Sequence, residues 1–188
     1  MTDIIAEVMK PSQNLYTDLM LAHVGMSQSK GKTLNPGETS EEVGIRALRG
    51  FIGEVGIGRG DTIFNEGSGL SRNNLTTPNA TVALLQFMQR HRYHDVYFNA
   101  LPIAGVDGTL RRRMKGTIAE GKLRAKTGTL AAAISLSGYV TTQGGDHLAF
   151  CLMLNRFQGG ESDRVKTADL DAIAVLLAGY SGKMTNDQ

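Results

Sequence analysis

At 188 residues and 41% hydrophobic content, the chain has length and apolar mass for one domain, or for a domain and a fragment of a second. Lys+Arg 20 against Asp+Glu 18 leaves a formal net charge of +2, so no global excess of charge points to nucleic acid. The single cysteine, Cys151, excludes an internal disulfide framework. No run approaches the roughly 18 apolar residues of a membrane helix, and no basic-then-apolar leader opens the sequence.

Taken in chain order, Asp3 to Lys10 has helical spacing (Ile4, Ile5, Val8, Met9) and stops at Pro11. A second helix is predicted from Ser12, with Leu15, Leu19, Met20 and Val24 on its apolar face. Gly25 to Pro36 reads as a polar loop. Thr39-Ser40-Glu41-Glu42 has the form of a capped helix start, and Val43, Ile45, Leu48, Phe51 and Ile52 supply a face to bury. Asp61 to Phe64 reads as a short strand, and Gly67-Ser68-Gly69-Leu70-Ser71 as a tight loop. Thr77-Pro78 opens another helix, with proline in the first turn and Val82, Leu85 and Met88 along it. Gly105 to Gly108 is a turn. Strands follow at Lys122–Thr127, Ala133–Thr142 and His147–Asn155, the last two joined by Gln143-Gly144-Gly145-Asp146. Thr167 to Ala178 closes the chain as an apolar helix. Helices first, then three consecutive antiparallel strands and a covering helix, predict an α+β fold.

Lys126-Thr127-Gly128, inside Lys122-Leu123-Arg124-Ala125-Lys126-Thr127-Gly128-Thr129-Leu130, carries the most functional information. A lone K-T-G recurs by chance, but here it ends a predicted strand. Serine acyl-transferases acting on D-alanyl peptides carry this triplet on a sheet edge, where the ammonium faces the nucleophile and small residues admit a peptide. Three more segments stand ahead of it in order: Met9-Lys10-Pro11-Ser12-Gln13-Asn14-Leu15-Tyr16, Gly67-Ser68-Gly69-Leu70-Ser71-Arg72-Asn73-Asn74-Leu75, and Leu101-Pro102-Ile103-Ala104-Gly105-Val106-Asp107-Gly108-Thr109-Leu110. With the K-T-G strand, this ordered set resembles the low-molecular-mass class C penicillin-binding proteins, serine D-alanyl-D-alanine carboxypeptidases and endopeptidases of the bacterial envelope.

The resemblance implies a penicillin-binding-protein/β-lactamase-like domain of which residues 1–188 form the C-terminal part. The S-x-N helix region would span 1–60, the Gly-Ser-Gly-Leu-Ser-Arg and helical region 61–120, and the K-T-G strand, hairpin and C-terminal helix 121–188. It also implies a nucleophile in an S-x-x-K motif upstream of S-x-N, and no serine lies ahead of Ser12 in this sequence. Ser27 with Lys30 and Ser29 with Lys32 fit the bare pattern, but after S-x-N and without the apolar period of a buried helix. The expectation is that the nucleophile segment and the first two strands are absent and that the chain alone is inactive. A smaller departure is Asn65-Glu66, where the family has an aspartate before Gly-Ser-Gly.

The resemblance implies roles for particular residues. Ser12 would pass a proton toward the leaving amine, Asn14 would reach the substrate amide and the general-base lysine, and Lys126 would hold Ser12 and attract the terminal carboxylate. Thr127 and Thr129 hydroxyls would bind that carboxylate across the strand at Gly128. The Thr129 N–H would be one of two donors to the tetrahedral oxyanion. Arg72 would pair with a carboxylate on the stem's diamino acid, a task that suits a planar guanidinium. Read without the resemblance, Ser12 is a helix N-cap, Asn14 a first-turn residue, Arg72 a loop cation, and Gly67 and Gly69 turn residues.

Other patterns carry less. Gly31-Lys32-Thr33 resembles a phosphate loop, but it lacks the spacing and follows a helix. His91, His94 and Asp95 share a helical turn with no further ligands, so a solvated helix end is expected and no metal or other cofactor. Arg111-Arg112-Arg113 with Lys115 lacks interleaved aromatics and is read as a solvated face, or as a rim meeting anionic cell-wall polymer. The expected partners are a peptidoglycan stem peptide ending in D-Ala-D-Ala and, for the full-length enzyme, β-lactams, in the periplasm or extracytoplasmic envelope; nucleic acid is not expected. A second reading, from another class, is a non-catalytic domain that binds or scaffolds cell-wall peptides. The strand at His147–Asn155 would lack its neighbour, so self-association through that edge, or its cover by the N-terminal segment, is also expected.

Overall fold

The alternating run from Leu123 to Asn155 forms a three-stranded antiparallel sheet, β3 (Leu123–Leu130), β4 (Ala133–Thr141) and β5 (His147–Asn155), in the order β3-β4-β5. The computed structural model describes residues 2–29, 34–157 and 162–182. Ahead of the sheet lie α1 (Thr2–Met9), α2 (Asn14–Ser29), α3 (Ser40–Glu54), the two-residue strands β1 (Thr62–Ile63) and β2 (Leu75–Thr76), α4 (Pro78–Arg90), α5 (His94–Ala100) and a 3₁₀ turn at Gly108–Leu110. Helix α6 (Ser162–Gly179) follows it. The fold is α+β, with the three consecutive strands and closing helix that the pattern predicts.

The chain divides into two compact units: Met1–Ser12 with Met88–Gln188, and Gln13–Phe87. In the first, strand alternation puts Leu123, Ala125, Ile134, Leu136, Val140 and Phe150 into one core with Leu170, Ala174 and Ala178 of α6. Leu123 and Leu136 are 0% exposed, and burying a leucine so completely contributes about 2 kcal/mol. Leu148, Leu152 and Leu154 of β5 pack against this core, so the apolar residues beside the open β5 edge are already partly covered. On the other sheet face, Phe98 and His94 of α5 meet Tyr139, and the Arg124 guanidinium stacks over Phe98 at 4.7 Å. Arg113 is not solvated as its basic run implied: its Nη2 donates to Asp171 of α6 at 2.6 Å and its Nε to the same carboxylate at 3.1 Å. Arg111 and Arg112 are exposed.

The second unit is built differently. Its small core is Ile52, Ile57 and Ala80 with Phe51, Val55, Phe64, Ala83 and Leu84 around it. Helices α2 and α3 cross where both carry glycine. A Cβ on Gly25 would meet the Ser40 carbonyl oxygen at 1.8 Å, and one on Gly44 the Leu21 oxygen at 2.3 Å, so any side chain there pushes the helix backbones apart. Helix α3 starts at the predicted capping box: Thr39 Oγ1 accepts from Glu42 N at 3.2 Å, and Glu42 Oε2 accepts from Thr39 N at 2.9 Å.

Helix α2 departs from the sequence expectation. It begins at Asn14 rather than Ser12 and continues through Gly25 to Ser29, where a loop was expected. Its predicted apolar face is not the buried one: Leu15, Leu19 and Val24 are exposed, while Leu21 and Gly25 are buried. Ser27 and Ser29 thus sit on its last turn; Lys30, Lys32 and the Gly31-Lys32-Thr33 pattern lie outside the described residues.

Candidate active site

Ser12 and Lys126, 114 positions apart in sequence, meet: Lys126 Nζ donates to Ser12 Oγ at 2.6 Å and to its neighbour's carbonyl, Thr127 O, at 3.0 Å. The resemblance to the penicillin-binding proteins implied this approach. Ser12 does not cap a helix. It lies ahead of α2 with φ 66°, in the left-handed region that serine seldom occupies. Burial holds the Lys126 ammonium below the usual lysine pKa. Because Ser12 accepts from Lys126, its own hydrogen is directed elsewhere.

The K-T-G strand is an edge. Ala125 N donates to Pro102 O at 3.0 Å and Ala104 N to Leu123 O at 2.9 Å, so these odd-numbered residues turn their backbone groups away from β4. By the alternation of an antiparallel ladder, the N–H groups of Thr127 and Thr129 point out of the same edge. Lys126 and Gly128 share a sheet face. A Cβ on Gly128 would meet Ser135 Oγ of β4 at 2.4 Å, which gives the glycine a packing reason. Thr129 is exposed, whereas the Thr127 hydroxyl is turned to Thr109 Oγ1 at 3.0 Å.

Three of the four sequence segments are tied together here. Lys10 Nζ donates to Asp107 Oδ2 at 2.6 Å and to Leu101 O at 2.7 Å, and Lys10 O accepts from Thr109 N at 3.1 Å. Neither Lys10, Asp107 nor Thr109 was singled out from the sequence. The one local signal was Asp107 in a glycine turn, where a carboxylate accepts from nearby backbone; it does so from Ile103 N at 2.8 Å.

Asn14 and Arg72 belong to the second unit. Asn14 is an exposed first-turn residue of α2 whose carbonyl accepts from Thr17 Oγ1 at 2.7 Å. Arg72 is exposed in the Gly-Ser-Gly loop. That loop is organised by Glu66, the residue that departs from the family pattern. Its carboxylate accepts from the Ser68, Gly69 and Ser71 N–H groups at 2.6, 2.9 and 3.1 Å, and from the Ser68 hydroxyl and the Asn74 amide. Partial burial pushes this carboxyl up, but the hydrogen bonds from Ser68, Ser71 and Gly69 outweigh it and hold the carboxyl below its ordinary range.

His94 is not part of a solvated helix end. It stacks on Phe98 at 5.3 Å, with Nδ1 buried and without a hydrogen-bond partner among the described residues. No group of three metal-ligating side chains occurs among the described residues, and no described helix is long and apolar enough to cross a membrane.

Comparison with known proteins identifies the family. The chain is 35% identical over 187 residues to a D-alanyl-D-alanine carboxypeptidase of Actinomadura sp., covering 97% of this chain and 32% of that protein. It is 30% identical over 172 residues to the Haemophilus influenzae carboxypeptidase DacB, covering 89% and 34%. The chain therefore spans about a third of the length of these curated relatives. Among solved structures, penicillin binding protein 4 of H. influenzae superposes with a TM-score of 0.81 at 26% identity, over 95% of this chain and 41% of that one. The TLA-1 β-lactamase shares the fold, at a TM-score of 0.66 and 20% identity over 94% of this chain and 64% of that one. Residues 1–179 match the model of one family, and the chain accordingly belongs to the D-Ala-D-Ala carboxypeptidase 3 (S13) family.

Proposed function

We propose that these 188 residues are part of a serine-type D-Ala-D-Ala carboxypeptidase/endopeptidase acting on peptidoglycan stem peptides through an acyl-enzyme, in the periplasm or extracytoplasmic envelope. The observation that carries this reading is the 2.6 Å Lys126–Ser12 hydrogen bond beside an open strand edge. In the reaction a serine from a further segment attacks the carbonyl between two D-alanines. The general-base lysine of that further segment takes the attacking serine's proton and passes it through Ser12 to the departing amine, while the positive charge of Lys126 holds Ser12 and attracts the terminal carboxylate. The Thr129 N–H, on the outward side of β3, serves the oxyanion, and the exposed Thr129 hydroxyl serves the carboxylate. The Thr127 hydroxyl must release Thr109 to join it. Asn14 acts on the substrate amide and Arg72 on the stem's diamino acid.

The test has two arms. Full-length product of the gene incubated with labelled penicillin and a stem pentapeptide forms a covalent adduct and releases D-alanine; Ser12→Ala and Lys126→Ala each lower release at least about 100-fold. The 188-residue chain alone does neither, because the serine that must be acylated is not supplied. An adduct on Ser27 or Ser29 of that chain overturns the assignment. Peptide binding without acylation by the full-length product favours the non-catalytic, cell-wall-peptide-binding reading instead. By the alternation of the ladder the backbone groups of Ala149 and Met153 point out of the far edge at β5, and we propose that the chain alone self-associates along that edge. Light scattering across a dilution series measures this, and a monomer with rapidly exchanging β5 amides refutes it.

A further inference from the structure

The Ser12–Lys126 hydrogen bond depends on a backbone conformation that does not maintain itself. At φ 66°, Ser12 is disfavoured by about 1–2 kcal/mol relative to the right-handed region, and such strain persists only where the surroundings over-determine it. Pro11, just before it, has a ring-fixed φ and no N–H. Whatever holds Lys10 therefore fixes the entry to Ser12.

Lys10 is held at both ends. Its ammonium reaches Asp107 Oδ2 at 2.6 Å and Leu101 O at 2.7 Å, with the lysine side chain 22% exposed, and its carbonyl accepts from Thr109 N at 3.1 Å. Asp107 is itself oriented, because its second oxygen accepts from Ile103 N at 2.8 Å. The same loop reaches β3 one residue past Lys126, through Thr109 Oγ1 and Thr127 Oγ1 at 3.0 Å. Both partners of the catalytic pair are thus referenced to one loop, Leu101–Leu110.

We propose that Lys10 and Asp107 are positioning residues, whose ion pair keeps Ser12 in the left-handed conformation that brings its hydroxyl to Lys126. Neither touches Ser12 Oγ; they act through the two-residue link Lys10-Pro11. The consequence for catalysis rests on the reaction proposed above, but the geometric claim does not.

The experiment uses the 188-residue chain and reads the geometry directly by NMR. Lys10→Met keeps the aliphatic stem and removes the ammonium; Asp107→Asn removes the charge at constant size; Lys10→Arg restores a cation. In the first two variants the Ser12 amide–Hα coupling and Cα shift move from positive-φ values toward those of ordinary backbone. The Lys126 ammonium, freed from Ser12 and better hydrated, titrates at higher pH. The β4 amide spectrum stays as in the parent, and Lys10→Arg keeps the parental Ser12 and Lys126 signals. Unchanged Ser12 and Lys126 signals in both variants overturn the proposal. So does global unfolding of both, which would make the pair a pin for the whole unit rather than a device for Ser12. Penicillin acylation by the full-length product is measured separately, so failure of the reaction reading leaves these signals unaffected, and the reverse also holds.

Discussion

The two units reach order by different means. The sheet unit buries large aliphatic side chains from both a strand ladder and α6, so its stability scales with apolar area removed from water. In the unit from Gln13 to Phe87, Ile52, Ile57 and Ala80 form a smaller apolar cluster, with partly buried apolar neighbours around it. This unit relies on helix backbones brought close by Gly25 and Gly44 and on a loop wrapped around the Glu66 carboxylate. Area-based packing tolerates modest changes of shape, whereas close backbone approach and a single shared acceptor do not. The sheet unit should therefore yield to lost volume, and the helical unit to added volume or a lost acceptor.

The largest effect is expected from Leu136→Ala, which empties a fully buried site and leaves a cavity; urea unfolding should show a loss of about 3 kcal/mol, with hydrogen exchange rising across β3–β5. A loss below about 1 kcal/mol would mean that this core relaxes as readily as a surface. Next, Gly25→Ala sets a methyl against the Ser40 carbonyl and should destabilise by about 1–3 kcal/mol although alanine is the better helix former. A stabilised variant would abolish the contrast between the units.

Glu66→Gln sharpens the contrast on its polar side. The carboxamide offers one acceptor oxygen where the carboxylate offers two, and the cost at neutral pH should be about 1 kcal/mol after discounting for exposure. The Glu66 pKa is lowered in the folded chain, so its contribution is complete above the ordinary value of 4.5 and fades as pH falls through the lowered one. The gap between parent and variant should therefore close in acid, and a pH-independent gap would show that the charge is irrelevant to the loop.

The smallest effect belongs to Lys126→Met. Burial lowers the folded-state pKa of Lys126 below 10.5, so between those two values the unfolded chain holds more protons than the folded one. The parent's stability relative to Lys126→Met should thus rise with pH through that window. A fall would show that the ammonium is stabilised rather than penalised where it sits.

Legibility followed the sequence range of each signal. The strands were readable because alternation and the Gln143–Asp146 turn are local signals: β5 runs His147–Asn155 as the pattern predicts, and β4 ends one residue short of the prediction, at Thr141. The capping box at Thr39 was readable because all its atoms lie within four residues. By contrast, Gly25 looks like a helix breaker and is an interior helix residue, since its value lies in the approach of Ser40 from another helix. Strand β2 and helix α5 escaped notice because two and seven residues carry too little periodicity, and β2 exists through pairing with β1.

By itself, the order of four short segments in the sequence determined the family, and local alternation determined the sheet. Only the tertiary structure decided that Ser12 is no helix cap but a left-handed residue held against Lys126, and that Lys10 and Asp107, 97 positions apart, form the clamp ahead of it. The physical reason is range. Periodicity, turn chemistry and capping act over a few residues and leave their mark in the sequence. An ion pair or a close approach between distant segments depends on where the chain returns, which no local pattern records.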